Sequence, residues 1–380
     1  MASILLAGGG TAGHVNPLLA TATELRTRGH VVAAVGTAEG LEKDLVPRAG
    51  VPLHTVPKVP LPRRPSGDLL RLPRNLRAAV AAASAAMTDS GAAAVVGFGG
   101  YVSTPAYLAA RRAKLPIVVH EANARPGLAN RLGARMTDRV AVTFPGTPLR
   151  GATVTGLPLR REIADLATVL ADAEAGPEAR AAARAVAGWA SDAPTLLVTG
   201  GSLGAASVNA AVVAAVPDLV ARGVHVWHLT GQGKGEDALR AQAELPERVR
   251  GLYRVEEYSH DMATALAAAG AVICRAGAAT VSEVTALGIP AMYVPLPHGN
   301  GEQADNARPA AGAGAATIVA DQDLTADAVR DGAERMLLDS HAAEAMRAAT
   351  DAIAIRDGAA RVADMVEAAL DQDATAGSSS

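Results

Sequence analysis

The chain is poor in cysteine, in aromatic residues and in long apolar runs, and each shortage removes a class of protein. One cysteine, Cys274, among 380 residues leaves no disulfide framework and no cysteine-built zinc site, and fits a reducing compartment. Its surroundings read as those of a small buried residue without chemistry. Aromatic side chains make up 2% of the chain, so stacking platforms for bases are scarce, and no nucleic-acid-binding signature is present. Nucleic acid is therefore not an expected partner. No uncharged apolar run approaches the roughly 18 residues of a spanning helix. Met1-Ala2-Ser3-Ile4-Leu5-Leu6 has no basic lead and its apolar run stops at Gly8, so it reads as a strand rather than a signal peptide. A soluble or membrane-peripheral globular protein remains.

What is present begins with size and charge. A chain of 380 residues implies two domains. The net charge of −3 conceals an asymmetry. Residues 1–150 hold 18 Lys/Arg against 8 Asp/Glu, and residues 151–380 hold 17 against 30. The basic half points to an anionic partner for that half alone. Part of the excess lies in 57–77, where five prolines punctuate Arg63, Arg64, Arg71, Arg74 and Arg77 among leucines. This excursion reads either as an exposed flap on an anionic membrane surface or as a solvated loop.

Short apolar strands alternate with helices along the first half, at 3–7, 31–35, 94–98, 116–119 and 140–143, which is a parallel α/β pattern. The first strand runs into Gly8-Gly9-Gly10-Thr11-Ala12-Gly13-His14, with Asn16-Pro17 expected to cap the following helix. Strand, glycine loop and helix together aim free N–H groups at an anion, and His14 adds a proton acceptor. Gly97-Phe98-Gly99-Gly100-Tyr101 and His120-Glu121-Ala122-Asn123 close two further strands. The pattern repeats in the second half: strand 195–199 meets Gly200-Gly201-Ser202-Leu203-Gly204, and strands near 225–229, 252–255, 271–274, 290–294 and 315–319 follow. The expected organisation is a domain over 1–160, a second over 161–351, helices at about 352–370 placed to pack back on the first, and a disordered tail at 371–380. The alanine-rich stretch 164–192 has no evident function.

The first loop formally matches G-x-G-x-x-G, but a dinucleotide enzyme wants an acid closing the second strand, and here the first acid is Glu39. Richer is Cys274-Arg275-Ala276-Gly277-Ala278-Ala279-Thr280-Val281-Ser282-Glu283, a strand end running into a helix suited to a diphosphate. Glu283 either accepts from ribose hydroxyls or is a first-turn acid complementing the helix dipole. The glycine-spaced loop from Pro295 to Asn306 suits sugar hydroxyls, or is a hydrophilic surface loop. His225 and His228 fall on opposite faces of a strand and make a poor metal pair, and the Asp-x-Asp at 321–323 sits at a helix start.

In this order the motifs GGGTAGHVNP, GFGGY, HEAN, FPG, the Gly156–Arg160 turn, GGSLGA, CRAGAATVSE and GNGEQADNA resemble the lipid-linked peptidoglycan GlcNAc transferases, the MurG family of GT-B glycosyltransferases. The match runs from residue 8 to about 307. The resemblance implies two Rossmann-like parallel-sheet domains facing across a cleft. It also implies inverting transfer of GlcNAc from UDP-GlcNAc to undecaprenyl-pyrophosphoryl-MurNAc-pentapeptide (lipid I), on the cytoplasmic face of the bacterial membrane. No cofactor or metal is implied; the division and elongation machinery are further partners. His14 is then the candidate base, with Glu121 a second candidate and Asn123 beside it. Gly10, Thr11, Gly13, Gly99, Gly100 and Tyr101 would face the acceptor pyrophosphate. Thr11, Ala12, Gly13 and Asn123 would meet the donor sugar, and Arg160 and Ser202 its diphosphate. Ser259 would face uracil; Ala278, Ala279, Thr280, Val281, Ser282 and Glu283 would hold phosphate and ribose; Glu302 and Gln303 would bind GlcNAc hydroxyls. The chain departs from the family pattern at Leu157, Ala276 and Glu302, where asparagine, serine and glutamine are common. Another GT-B sugar-nucleotide enzyme, such as a glycolipid transferase or a UDP-GlcNAc epimerase, and a non-catalytic membrane scaffold are the alternatives.

Overall fold

The computed structural model describes residues 1–59, 68–201, 204–298 and 300–377, without the side chains of 68–71 and 373–377. The chain divides into two compact units: Met1–Arg160 together with the chain from Asp357 onward, and Arg161–Arg356.

In the first unit the strands are β1 (Ser3–Ala7), β2 (Val31–Gly36), β3 (Leu53–Thr55), β4 (Ala94–Gly97), β5 (Ile117–Glu121), β6 (Val140–Val142) and β7 (Ala152–Val154). They lie in the order 3-2-1-4-5-6-7, every neighbouring pair parallel. Such a sheet is covered on both faces, so its strands read as continuous apolar runs. Alternate residues feed two cores. Leu5, Val35 and Val95 pack with Val80, Ala83, Ala106 and Tyr107 on one side. Ile4, Leu6, Val32 and Val96 pack with Val15, Leu18, Ala363 and Val366 on the other. The second side is thus closed by the last helix, Gly358–Gly377. Arg28 clamps it through Asp364 (2.6 Å) and Glu367 (2.8 Å), and His30 Nε2 lies 3.0 Å from Glu367. That helix continues to Gly377, so the tail expected at 371 opens as helix instead. The helix Ser340–Ile353 belongs to the second unit.

The second unit holds β8 (Thr195–Thr199), β9 (His225–Leu229), β10 (Tyr253–Glu256), β11 (Ala271–Cys274), β12 (Ala291–Tyr293) and β13 (Ala316–Ile318), in the parallel order 10-9-8-11-12-13. Both sheets are therefore doubly wound, as the α/β pattern of the sequence implies. In each the strand order reverses beside the first strand, between β1 and β4 and between β8 and β11. Ligands of open α/β sheets sit outside the carboxyl ends of strands at such a switch point. The glycine loops at Gly8, Gly97, Gly200 and Arg275–Gly277 are the continuations of those four strands.

Two expectations change. Residues 68–77 are not a loop but the start of the helix Asp68–Ser90, which accommodates Pro73; residues 60–67 of the excursion lie outside the described residues. The alanine-rich stretch forms the helices Arg161–Ala171 and Ala175–Val186 and has a structural task. Arg180 donates to Ala269 O (2.9 Å) and Leu287 O (3.2 Å), and Arg184 to Ala268 O (3.1 Å). These are carbonyls at the C-terminal ends of the helices Met262–Ala268 and Ala278–Ala286, which lack partners within the helix and attract cations. Burial, with Arg184 and Arg347 nearby, draws the Arg180 guanidinium down to about 10.

The second unit also buries His228, whose Nδ1 lies 2.9 Å from Tyr253 Oη and whose Nε2 lies 3.1 Å from Asn209 Oδ1. Burial lowers this imidazole to about 4. The unfolded chain takes up the proton near pH 6.5 and the folded chain does not, so stability is complete above pH 6.5 and falls as pH drops toward 4. The loss reaches roughly 3 kcal/mol for this one group. Both tryptophans, Trp189 and Trp227, meet edge to face in this unit with ring centroids 5.9 Å apart, so fluorescence excited selectively at tryptophan follows its unfolding alone. The urea midpoint read by fluorescence is expected to fall between pH 6.5 and 4, and to fall less steeply in His228→Gln. Equal slopes would remove His228 as a source of the acid sensitivity.

Candidate functional site

In the first unit the helix after β1 begins at Ala12, earlier than the Asn16-Pro17 cap expected from the sequence. Thr11 is its extended N-cap, with no side-chain cap and no acid in the first turn, so the first N–H groups are directed outward. His14 therefore lies in the first turn. Its Nδ1 is 3.0 Å from Gly9 O and 3.2 Å from Thr11 Oγ1. A carbonyl oxygen only accepts, so Nδ1 carries the proton and Nε2 presents its lone pair. Nε2 faces the Gly97–Tyr101 turn: a Cβ on Gly99 would come 3.1 Å from it. A Cβ on Gly100, where φ is +79°, would collide with Gly9 O, so only glycine lets the two turns interlock. Ser103 Oγ accepts from Gly99 N–H (3.0 Å) and lies 2.9 Å from Ala7 O, tying the second turn to β1. Gly10, Thr11, Gly13, Gly99, Gly100 and Tyr101 thus share one edge of this unit. Lys58 Nζ stands 5.6 Å above the Tyr101 ring, beside a hollow of about 150 Å³ that Gly9 and Gly10 also line.

Glu121 is 3% exposed and its oxygens are engaged. Oε1 accepts from Asn123 N–H (2.9 Å), and Oε2 from Gly127 N–H (3.0 Å) and Asn130 Nδ2 (3.0 Å). Asn130 also donates to His120 O (2.9 Å) and accepts from Tyr107 Oη (2.8 Å). The carboxylate therefore braces the 121–127 loop and sets the backbone of Asn123. Burial keeps the neighbouring His120 neutral by lowering it to about 4. Asn130 and Tyr107 carry no sequence signal; only the fold brings them to this loop.

In the second unit the helix Ala278–Ala286 starts from an extended Gly277 N-cap, again with no side-chain cap and no acid in the first turn. Ala278, Ala279 and Thr280 offer the first three N–H groups, and Val281 N–H already bonds Gly277 O at 2.9 Å. Glu283 lies beyond that first turn, so it is not the first-turn acid of the simpler reading. Val281 is buried, and the Ser282 hydroxyl is buried without a partner among the described residues. Gln303 Oε1 accepts from Ala276 N–H (3.2 Å) and Leu296 N–H (3.0 Å). Two backbone donors fix which end of the amide is oxygen and leave its NH2 as the donor to offer. Arg275 turns inward, donating to Val294 O (3.1 Å), Ser207 Oγ (3.0 Å) and Asp321. Burial would raise the Asp321 carboxyl, but the bonds from Ser207 and Arg275 prevail and hold it below its ordinary value. The Asp-x-Asp thus supplies a brace.

Of the remaining sequence-derived positions, Ser202 lies outside the described residues. Ser259 Oγ accepts from Asp261 N–H at 3.2 Å, at the start of the helix Met262–Ala268. Arg160 is the last residue of the first unit's opening segment. Glu302 opens the helix Glu302–Gly312, where a carboxylate complements the dipole. Leu157 and Ala276, two of the departures, are buried. Among the described residues no group of three or more His, Cys, Asp or Glu is placed to hold a metal ion. Glu121→Gln turns one acceptor into a donor facing N–H groups. It is expected to cost about 1–3 kcal/mol of unfolding free energy by urea and circular dichroism; unchanged stability would contradict the brace.

The comparisons with known proteins agree with the fold. Residues 4–142 match the glycosyltransferase family 28 N-terminal domain and residues 195–362 its C-terminal domain. A UDP-N-acetylglucosamine–N-acetylmuramyl-(pentapeptide) pyrophosphoryl-undecaprenol N-acetylglucosamine transferase of Nocardioides sp. is 50% identical, covering 96% of this chain and 97% of its own. The same-named protein of Paenarthrobacter aurescens is 47% identical over 96% and 95%. The crystal structure of Acinetobacter baumannii MurG superposes with a TM-score of 0.78 at 28% identity, covering 97% of this chain and 99% of that one. The calicheamicin glycosyltransferase CalG4, at 22% identity and TM-score 0.67, shares the fold. The chain belongs to glycosyltransferase family 28, whose fold is GT-B, and within that family to the undecaprenol-linked N-acetylglucosamine transferases represented by these relatives.

Proposed function

We propose that this protein transfers GlcNAc from UDP-GlcNAc to the MurNAc O4 of undecaprenyl-pyrophosphoryl-MurNAc-pentapeptide, giving lipid II with inversion at the anomeric carbon. The observations that carry the reading are, in the first unit, a His14 whose Nδ1–H is held by Gly9 O so that Nε2 keeps its lone pair, and, in the second unit, a helix start at 278–280 without a side-chain cap and with Glu283 beyond it, in a chain related over its length to such transferases.

The diphosphate of the donor sits at the N–H groups of Ala278, Ala279 and Thr280, with Arg160 and the Ser202 loop as further contacts, and Glu283 accepts from the ribose hydroxyls. Ser259 lies toward uracil. Gln303, its oxygen already taken by two backbone N–H groups, donates its NH2 to the GlcNAc hydroxyls, and Glu302 accepts from them. In the first unit Gly10, Thr11, Gly13, Gly99, Gly100 and Tyr101 receive the acceptor pyrophosphate, and Ala12 and Asn123 border the donor sugar. His14 Nε2 takes the O4 proton as O4 attacks C1 and UDP departs. A single displacement inverts the centre. The charge that develops on the leaving UDP is met by the helix N-terminus and Arg160. His14 is preferred to Glu121 as base because the Glu121 oxygens are committed to their loop.

The acceptor is a membrane lipid, so the protein is assigned to the cytoplasmic face of the bacterial membrane as a peripheral protein. Among the described residues no helix is long and apolar enough to cross a membrane. The basic first half supports an anionic surface as partner. So does a cavity of about 570 Å³ in the first unit, where Arg111, Lys114 and Arg139 stand beside Ile117, Met136 and Met365. The division and elongation machinery are further partners that this role implies.

The reading is tested by incubating the protein with labelled UDP-GlcNAc and a short-chain lipid I analogue in EDTA. UDP release equal to the β-linked disaccharide-lipid formed, and dependent on the acceptor, is expected. Release without acceptor would point to an epimerase or hydrolase; bound UDP without turnover would point to a scaffold. His14→Ala is expected to lower kcat by about 10²–10⁴-fold while UDP affinity stays constant, since a base acts on the transition state. Turnover near wild type would show that His14 is not the base. Glu283→Ala is expected to weaken UDP binding by about ten- to a hundredfold, the loss of hydrogen bonds to a charged group, as read by calorimetry. Unchanged affinity would remove its ribose role.

A further inference from the structure

Glu42 belongs to none of the motifs that the sequence singles out, yet the first glycine loop is built around it. It opens the helix Glu42–Arg48 and is fully buried. A buried carboxylate requires donors, and Glu42 has three. Oε1 accepts from Thr37 N–H (2.8 Å) and Thr37 Oγ1 (2.7 Å), and Oε2 accepts from Gly10 N–H (2.9 Å). Burial alone would raise this carboxyl, but the three bonds prevail and hold it below its ordinary value. Glycine at three positions clears the space: a Cβ on Gly9, Gly36 or Gly40 would overlap Glu42 side-chain atoms. A carboxylate that only complemented its own helix dipole would need no such enclosure.

The bond to Gly10 reaches His14 through one peptide plane. Gly10 N–H and Gly9 C=O belong to the same peptide unit, and among the described residues no peptide bond is cis. In a planar trans unit the N–H and C=O point in opposite directions. Glu42 takes the N–H on one side, so the Gly9 carbonyl is turned to the other, where it lies 3.0 Å from His14 Nδ1. Glycine on both sides makes this peptide easy to flip, and Gly10 sits at φ +87°. A flipped unit would aim its carbonyl at the carboxylate and its N–H at His14 Nδ1. The imidazole would then have to accept at Nδ1 and carry its proton on Nε2, where it is useless as a base.

We infer that Glu42 is a positioning residue: through the Gly9–Gly10 peptide it fixes the Nδ1–H tautomer of His14 and keeps Nε2 free to take the acceptor proton. This rests on His14 being the base of the proposed function, but the coupling has its own readout.

The test is two-bond ¹⁵N–¹H correlation on the full chain labelled at histidine nitrogen, at pH 8, with His14 assigned by its loss in His14→Ala. Wild type is expected to show His14 as the Nδ1–H tautomer; a dominant Nε2–H form in wild type would overturn the proposal without any variant. In Glu42→Gln an amide NH2 must face either Gly10 N–H or the Thr37 donors. A substantial Nε2–H population is expected, with kcat down at least tenfold and KM for UDP-GlcNAc and UDP affinity unchanged. Thr37→Val removes a donor from the same carboxylate without touching Gly10. It is expected to lower the melting temperature while leaving the tautomer and kcat as in wild type. A Glu42→Gln enzyme whose kcat falls with His14 still wholly Nδ1–H would reduce Glu42 to a structural role and overturn the inference, as would a tautomer change in Thr37→Val. Wild-type turnover in His14→Ala would sink the base and leave the coupling to be read from the nitrogen spectra.

Discussion

Parallel pairing of β1 with β4, and of β8 with β11, decides where the chemistry of this chain can lie. A parallel sheet sends every strand out at the same edge, and a doubly wound order opens a gap between neighbouring loops at the point of reversal. The glycine loops follow β1, β4, β8 and β11 because those four strands flank the two reversals. After the glycine turns of β1 and β11 the same architecture supplies helix N-termini without acidic residues in their first turns, at Ala12 and Ala278, each a place where anionic groups are favoured.

Loops at a sheet edge are soft, and here carboxylates hold them, two buried and one half-buried. Glu42 fixes Gly10, Glu121 fixes the turn from Asn123 to Gly127, and Asp321 with Arg275 fixes the ends of β11 and β12. For Glu42 and Glu121 a charge that would be costly to bury is compensated by donors that include N–H groups of the loop it supports, so removing the charge leaves unpaired N–H groups behind. In the proposed mechanism, preorganisation of this kind would let one imidazole nitrogen and one row of backbone N–H groups act without first reorganising.

Much of this was legible in the sequence, and for physical reasons. Central strands such as Ile4-Leu5-Leu6 and Leu196-Leu197-Val198 are buried on both faces and so read as unbroken apolar runs. β3 and β7 escape notice because each is three residues long at or near a sheet edge, with polar or exposed positions. The helix after the first loop starts at Ala12 because extended Thr11 supplies the N-cap, which leaves Pro17 inside the helix rather than at its first turn. Glu42, Asn130 and Tyr107 were invisible for a different reason. Their roles depend on partners 32 and 23 residues away, and a lone glutamate, asparagine or tyrosine carries no periodicity that announces such a contact. Glu283 shows the reverse: its residue number was marked by the motif, but only the helix start at Ala278 separates a ligand-facing acid from a dipole-complementing one.

The central claim is a division of labour, with the nucleotide held mainly by the second unit and the glycine loops of the first left to the acceptor and the sugar being transferred. Hydrogen–deuterium exchange of the full chain with saturating UDP tests it most directly. The account expects slowed exchange at 275–283 and 295–303 with UDP alone, and none at 8–14 or 97–101. Protection of the Gly8–His14 loop by UDP alone, as strong as that of the helix Ala278–Ala286, would contradict it.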